Sequence, residues 1–317
     1  MMKRPKGRFF MSKAMINKSI VFMGTPEFAV TSLQALVAAN FNVVGVVTVP
    51  DKPAGRGQKI QQSAVKIFAD SQGIPTLQPI KLKDPDFLAS LADWRAVLFV
   101  VVAFRMLPEI VWKMPALGTI NLHGSLLPKY RGAAPIHWAV VNGEAETGVT
   151  TFFINEQIDT GDVIERTVIP IGPNETTGEL HDRMMVIGAQ TLCHTVQLIL
   201  EGSSLSQQQL DSDACHSPKL SREIAQIHWD NPGIILHNFI RGMSPYPCSW
   251  TMFKDKTLKI FKGYHEMADG LGKYAEIVEL KEGKLRFRTA DGWYYPTEVQ
   301  WEGKKRMNID EFMRGLR

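Results

Sequence analysis

Short apolar runs and amphipathic stretches alternate along the first two thirds of the chain. Apolar runs that end in glycine or polar residues predict buried strands at positions 19–24, 41–49, 96–104, 118–124 and 147–155. Apolar residues at helical spacing predict helices between the strands. The first follows Thr25, expected as its cap, and Pro26, expected at its first position; a long one covers 177–202. This alternation favours a doubly wound, mostly parallel α/β sheet.

The last third of the chain has a different pattern. Short segments of alternating polarity, separated by glycine and aspartate, read TLKIFKGYHE, YAEIVELKEG, KLRFRTADG and WYYPTEVQWEG. They predict a small all-β barrel or sandwich. Before them, the stretch from 203 to 221 is polar with little apolar periodicity and predicts a linker. We therefore expect an N-terminal extension (1–18), an α/β domain (19–203), a linker (204–222) and a β domain (223–317).

Charge is divided unevenly between these parts. From residue 219 onward there are 17 Lys and Arg against 13 Asp and Glu, a net charge of +4. Between residues 21 and 218 there are 13 against 19, a net charge of −6. A basic domain joined to an acidic one suggests a polyanionic partner for the basic part. A solvated surface without a partner is the other interpretation, and the charge alone does not decide between them.

The cysteines and the N-terminal residues indicate the cellular compartment in which the protein is expected. The 3 cysteines, Cys193, Cys215 and Cys248, form no CxxC pair, which predicts free thiols in a reducing compartment and no zinc site. No apolar run reaches the ~18 residues that span a bilayer. The first twenty residues are basic, without the apolar centre of a secretion signal. We expect a bacterial-type cytoplasmic protein; a mitochondrial transit peptide fits less well, because serine and arginine are few there.

The segment INLHGSLLPKYRG (120–132) carries the first candidate chemistry. Residues i and i+2 of a strand face the same side, so Asn121 and His123 would project together near the carboxyl end of a strand. Ligands bind at that end of an open α/β sheet. An amide donor beside an imidazole can stabilise an oxyanion and move a proton, as acyl transfer requires. A core histidine and a turn-capping asparagine are the structural alternative.

A second segment, NEQIDTGDVI (155–164), adds two carboxylates around Thr-Gly, Asp159 and Asp162. It follows an apolar strand, so its loop is expected to reach the same edge of the sheet. A carboxylate there would support the charge of His123, although Asp-Thr-Gly is also an ordinary turn. The first turn, MGTPEFA, lacks the glycines of GxGxxG, which argues against a dinucleotide enzyme.

Several long segments in order resemble one family. NLHGSLLPKYRGAAPIHWAVVNGE, ETGVTTFFINEQIDTGDVI, SPKLSREIAQIHWD and FIRGMSPYPCSW are similar to the methionyl-tRNA formyltransferases, part of the wider group that transfers a formyl group from 10-formyltetrahydrofolate. The resemblance covers most of residues 19–317. It implies a Rossmann-like catalytic domain followed by an OB-like barrel, 10-formyltetrahydrofolate as co-substrate and initiator methionyl-tRNA as acceptor. From the residues themselves we expect no metal, no membrane association and no obligate protein partner.

The resemblance also implies roles for individual residues. The family's catalytic Asn, His and Asp correspond to Asn121, His123 and Asp159, and its folate-contacting segment corresponds to Ser125, Leu126, Leu127 and Pro128. The pterin pocket is edged by the loop in 100–108. The loop PDKPAGRGQKI corresponds to the one that engages the tRNA end, with Lys52, Arg56 and Lys59 as its basic residues. KLRFR (284–288) and GKKRM (303–307) would be the barrel's basic clusters.

Two positions depart from the family pattern near the folate. Arg105 stands where a glycine is usual, and Gln157 replaces a common glycine two residues before the aspartate. Two alternatives to a tRNA formyltransferase remain. One is a formyltransferase for an amino sugar nucleotide, against which the basic barrel and the PAGRG loop argue. The other is a nucleic-acid-binding module with an inactive α/β half, against which the intact Asn121, His123 and Asp159 argue.

Overall fold

Residues 18–54, 59–269, 278–281 and 284–316 are described by the structure, a computed structural model. The strands are β1 (Ile20–Gly24), β2 (Val43–Val47), β3 (Lys52–Ala54), β4 (Lys59–Gln61), β5 (Thr76–Leu77), β6 (Leu98–Val102), β7 (Thr119–His123), β8 (Arg131–Gly132), β9 (Glu146–Phe153), β10 (Val163–Pro170), β11 (His216–Ser217), β12 (Ser249–Phe253), β13 (Lys256–Met267), β14 (Val278–Lys281), β15 (Lys284–Arg288), β16 (Gly292–Trp301) and β17 (Met307–Asn308). The helices are α1 (Glu27–Ala38), α2 (Ala64–Ser71), α3 (Pro85–Asp93), α4 (Glu109–Trp112), α5 (Pro135–Val141), α6 (Thr177–Glu201), α7 (Gly233–Met243) and α8 (Ile309–Arg314).

Seven strands of the first domain form one sheet in the order β10-β9-β7-β6-β1-β2-β5. β7, β6, β1, β2 and β5 run parallel to one another, while β9 is antiparallel to both β7 and β10. Every residue of β1 and β6 is buried, because helices cover both faces of the sheet. Alternate residues of β1 serve opposite cores: Ile20 and Phe22 pack with one apolar cluster, Val21 and Met23 with the other. The predicted doubly wound, mostly parallel sheet is confirmed.

The element boundaries differ from the sequence prediction in instructive places. Pro26 has an extended backbone (φ −82°, ψ 178°) and is itself the N-cap of α1, so the prediction of Thr25 as cap and Pro26 as first helical residue was wrong by one position. The stretch from 50 to 60, expected as a loop, contains the short antiparallel pair of β3 and β4. The expected N-terminal extension lies outside the described residues, apart from Lys18.

The second domain is built on an antiparallel sheet with the strand order β12-β13-β16-β15-β14, with β17 paired to β16. Its core contains Trp229, which stacks on Phe287 at 4.3 Å between ring centroids. The antiparallel β domain is confirmed, although α7 was not anticipated. β12 and β14 stand at the two ends of the sheet, and no pairing joins them within the described ranges, so closure into an OB-like barrel stays a prediction.

The two domains pack through α7, which lies against α5 and the start of α6. A Cβ on Gly242 would lie 2.5 Å from Cγ2 of Val141, so the helices approach too closely there for a larger residue. Thr177 Oγ1 donates to the Gly242 carbonyl at 2.7 Å, and the buried Arg241 donates to the Glu175 carbonyl at 3.0 Å. Lys262 pairs with Glu179 at 2.7 Å across the same junction.

The polar segment 204–222, predicted as a linker, runs along the first domain. β11 pairs in parallel with β8, and Gln207 exchanges two backbone hydrogen bonds of 2.8 Å with Val163. The predicted domain limits stay a prediction, but this segment is attached to the first domain over much of its length. No helix in the described part of the chain is both long enough and apolar enough to span a bilayer.

Candidate active site

Asn121 and His123 stand on β7, in the middle of the sheet. Asn121 is in register with Val101 of β6 and Phe152 of β9, and His123 is in register with Thr150. Because β7 is hydrogen-bonded on both sides, its register fixes where both side chains emerge. The predicted juxtaposition of the amide and the imidazole on one face is present, and both residues line the same cavity.

His123 is 6% exposed and is oriented by the loop that follows it. Its Nε2 lies 2.9 Å from the Tyr130 carbonyl oxygen. A carbonyl only accepts, so Nε2 carries a proton and donates it there. Nδ1 is therefore the ring nitrogen that can exchange a proton, and it lies 3.7 Å from Asp159 Oδ2. Phe152 presents an edge to the ring at 6.5 Å between centroids.

The Asn121 side chain has no protein partner in the described part of the chain. Its Oδ1 is buried and makes no hydrogen bond. Buried amides are normally satisfied, so an unpaired one that lines a cavity is a candidate for binding a ligand. An oxyanion needs hydrogen-bond donors, which here would be the Asn121 Nδ2 and a protonated ring nitrogen of His123.

Asp159 reaches His123 by a route that the sequence did not predict. β9 is antiparallel, so it ends beside the start of β7: Phe153 is in register with Ile120. The loop after it folds back across the sheet, and Gly161 lies so close to the strand that a Cβ would be 1.6 Å from the Phe153 carbonyl oxygen. Asp159 itself adopts a left-handed backbone (φ 57°), which is strained for a residue with a side chain.

The Asp159 carboxylate is held in place by the segment after β7. Oδ2 accepts a hydrogen bond of 2.9 Å from the Gly132 backbone N–H. Gly132 has φ 125°, and a Cβ there would lie 2.7 Å from the Ser217 carbonyl oxygen, so only glycine fits between the two strands of the small sheet. Asn121, His123 and Asp159 thus come together around one cavity.

The cavity has a volume of about 1140 Å³ and walls that are largely apolar, with some polar groups among them. That size suits a folate-sized ligand together with part of a second substrate. Arg105 lines it and donates to the carbonyls of Pro79 (2.7 Å) and Ile80 (3.0 Å). Partial burial lowers the pKa of its guanidinium. Gln157 is exposed on the rim.

The four residues expected to contact folate lie elsewhere. Ser125, Leu126, Leu127 and Pro128 do not line the cavity. Ser125 is fully buried and donates to the Lys129 carbonyl at 2.6 Å, and Leu127 packs into a small cluster with Phe152 and Val163. In this structure they shape the turn between His123 and Tyr130, and a direct folate contact by them stays a prediction.

The basic residues expected to engage tRNA are only partly described. Lys52 is exposed at the start of the β3–β4 pair; the side chain of Lys59 and the whole of Arg56 lie outside the described residues. In KLRFR, Arg288 is 2% exposed and belongs to the core, which was not foreseen. In GKKRM, Lys304 and Lys305 are exposed, while Arg306 makes a two-pronged ion pair with Glu298, both distances being 2.7 Å.

Sequence reasoning missed two supports of the site. The first is the Tyr130 carbonyl, which leaves no sequence signal because every residue carries one. The second is Gln209, which forms hydrogen bonds with Arg131 and the Asp159 loop. It was missed because it is a glutamine in a polar stretch that predicts a linker. Within the described residues no group of three or more His, Cys, Asp or Glu could hold a metal ion.

Comparisons with known proteins identify the family of the chain. Residues 17–196 match the family described as "Formyl transferase", and residues 219–317 match "Formyl transferase, C-terminal domain". Methionyl-tRNA formyltransferases from Bacteroides fragilis and Azobacteroides pseudotrichonymphae are 47% and 49% identical, covering 94% and 93% of this chain and 94% and 95% of their own.

Solved structures share the fold at lower identity. WlaRD, a sugar 3N-formyl transferase, has a TM-score of 0.66 at 22% identity, covering 90% of this chain and 98% of its own. An N-formyltransferase from Helicobacter canadensis has a TM-score of 0.66 at 19% identity, covering 91% and 99%. By both matched domains and by relatives of nearly equal length, the chain belongs to the formyl transferase family, and within it to the methionyl-tRNA formyltransferases.

Proposed function

We propose that this protein transfers the formyl group of 10-formyltetrahydrofolate to the free α-amino group of methionine esterified to initiator tRNA. The observation that carries the chemistry is that Asn121, whose Oδ1 has no partner, lines one cavity with His123 and Asp159, whose Nδ1 and Oδ2 lie 3.7 Å apart. The relatives named methionyl-tRNA formyltransferase support the acceptor.

The residues divide the work of acyl transfer between them. As the amine adds to the formyl carbon, the Asn121 amide and the protonated His123 Nδ1 donate hydrogen bonds to the oxygen that becomes negative. Nε2 cannot do this, because it is committed to the Tyr130 carbonyl at 2.9 Å. Asp159 stands 3.7 Å from Nδ1, close enough to stabilise the imidazolium yet too far to take its N–H in a full hydrogen bond. The N–H stays available to the substrate.

Asp159 also has a part in removing the proton that the attacking amine must lose. We propose that it accepts this proton through a water molecule, while His123 gives its Nδ1 proton to the folate nitrogen that leaves. Transfer of the amine's proton from Asp159 to His123 then restores both groups for the next turnover. The unpaired Asn121 amide and the apolar walls fit a formyl donor with a flat ring system. Arg105 brings a cation to this cavity at a position where the family resemblance led us to expect glycine.

The tRNA would be held by charge outside the cavity. Lys52, Arg56 and Lys59 come from the β3–β4 segment, which follows the carboxyl end of β2, and the basic second domain supplies Lys304 and Lys305. Phosphate contacts of this kind weaken steeply with salt. A KM for methionyl-tRNA that does not change between low and moderate ionic strength would contradict this part of the proposal.

The deciding experiment is a formyl-transfer assay with 10-formyltetrahydrofolate and methionyl-initiator tRNA, run beside the same donor with an amino sugar nucleotide. Formylation of the tRNA alone supports the proposal. Transfer to the sugar alone keeps the chemistry of Asn121, His123 and Asp159 and overturns the acceptor. Binding of tRNA with no turnover on either acceptor would support the inactive nucleic-acid-binding module. We place the activity in the bacterial cytoplasm, as translation initiation requires.

A further inference from the structure

Gln209 is a buried amide within an otherwise exposed polar segment. It is 7% exposed, whereas Gln207, Gln208 and Leu210 around it are all exposed. Burial of an amide is unfavourable unless its donors and acceptor find partners. The chain therefore places this one side chain inward for a specific set of hydrogen bonds.

Those bonds use every donor and acceptor of the Gln209 amide. Nε2 donates to the carbonyls of Asp159 (2.9 Å) and Gly161 (2.8 Å). Oε1 accepts from Nε (3.1 Å) and Nη2 (2.9 Å) of Arg131. Because carbonyls only accept and a guanidinium only donates, the amide fits in one orientation alone.

The partners of Gln209 are the two segments that hold the catalytic carboxylate. One is the loop of Asp159, whose left-handed backbone (φ 57°) is strained and needs external support. The other is β8, where Gly132, next to Arg131, donates its N–H to Asp159 Oδ2 at 2.9 Å. Gln209 thus closes a ring of contacts that runs through Asp159, Gly132 and Arg131.

We infer that Gln209 is a positioning residue that holds the Asp159 carboxylate at its working distance from His123, although it lies some fifty residues away on the segment between the domains. The inference rests on the proposed function only in that turnover is one of its readouts. Gln209 touches no reacting atom, so its removal should lower kcat and leave the binding of both substrates nearly unchanged.

The experiment compares Gln209→Ala with Gln208→Ala, the exposed neighbour of the same type, in the full-length protein. We expect Gln209→Ala to lower kcat by roughly 10- to 100-fold, as displacement of a catalytic group does, with both KM values within about 2-fold of wild type. Gln208→Ala should match wild type. Gln209→Glu keeps a partner for Arg131 but sets a carboxylate against two carbonyls, so it should lose as much kcat as alanine does.

A double-mutant cycle separates positioning from general support. In a protein that already carries Asp159→Asn, Gln209→Ala should reduce kcat little further, because the group it positions has lost its charge. Wild-type kcat in Gln209→Ala, or losses that multiply fully in the double variant, would overturn the inference. If Gln209→Ala does not fold, Gln209→Glu takes its place in the cycle.

One readout needs no substrate and keeps this inference separate from the proposed function. The ring-proton NMR resonances of His123 should move in Gln209→Ala and stay in place in Gln208→Ala, since they sense the nearby carboxylate. If the wild-type protein formylates no methionyl-tRNA, the proposed function fails while this measurement still decides the role of Gln209. Unmoved His123 resonances in Gln209→Ala would refute the positioning role.

Discussion

The strand β7 and the loop that carries Asp159 bring the proposed catalytic groups to the same cavity by different means. Asn121 and His123 take their positions from a strand paired on both sides, whose register is fixed by its neighbours. Asp159 stands on a backbone-strained loop that folds back over the sheet and is held from outside by Gly132 and Gln209. A sheet positions side chains through the hydrogen bonds between its strands, whereas a loop needs partners from distant parts of the chain. The two regions should therefore respond differently to substitution.

The largest effect is expected on the strand. Asn121→Ala and His123→Ala should each lower kcat on the order of 10²–10³-fold or more, the usual cost of losing an oxyanion donor. Asn121→Ala should not lower the thermal midpoint, because the buried Oδ1 that it removes has no partner to lose. Formyl-transfer kinetics measure kcat, and thermal unfolding followed by circular dichroism measures the thermal midpoint. Near-normal kcat in either variant would remove that residue from the catalytic set.

The loop should show a smaller loss of activity. Asp159→Asn keeps an oxygen for the Gly132 N–H and tolerates the left-handed backbone, so it removes little besides the charge. We expect kcat to fall by roughly 10- to 100-fold, because the imidazolium loses its counter-charge. Asp159→Gly should lose at least as much activity while relieving strain at φ 57°. A stability gain in Asp159→Gly and none in Asp159→Asn would confirm that the loop stores strain.

The support of the loop can be tested at Gly132. Gly132→Ala places a Cβ 2.7 Å from the Ser217 carbonyl oxygen, so β8 and β11 must separate and the N–H must move off the carboxylate. We expect a loss of about 1–3 kcal/mol in the free energy of unfolding and a several-fold lower kcat. Gly73→Ala is the control, since Gly73 also has a positive φ (67°) but open space around it. If both variants lose the same free energy of unfolding and neither loses kcat, the close approach at Gly132 has no functional role.

The smallest effect is expected at a contact remote from both regions. Lys262 donates to Glu179 and, together with hydrogen bonds from Thr176, lowers the pKa of that carboxyl to about 2. The folded-state pKa lies below the unfolded one, so the pair stabilises the protein above about pH 4.5 and loses this contribution as the pH falls toward 2. Both side chains are largely exposed, so Lys262→Gln should cost less than about 1 kcal/mol at neutral pH. Wild type and variant should converge in acid; a constant difference across pH would contradict the linkage.

The contrast between the strand and the loop also explains what the sequence could predict. The alternation around Asn121 and His123 predicts both the strand and the face that the two residues share, since side chains two residues apart in a strand point to the same side. The loop is harder. Asp159 does lie near His123, as expected. However, β9 runs antiparallel to β7, so the loop after β9 starts at the opposite edge of the sheet and must fold back. Nothing in the triplet Gln207, Gln208 and Gln209 distinguishes the buried one, because its partners are backbone carbonyls set by tertiary folding.

The attachment of the segment 204–222 to the first sheet sets a limit on recombination. Gln209 and Ser217 belong to that segment by position in the chain, yet they complete the catalytic half by contact. A chimera made by joining this α/β half to another protein's second domain at residue 203 would exchange the brace of Asp159 along with the second domain. A crossover after residue 222 would keep the brace with the site that it supports. For this enzyme, the unit that can be exchanged intact ends about twenty residues beyond the last helix of its sheet domain.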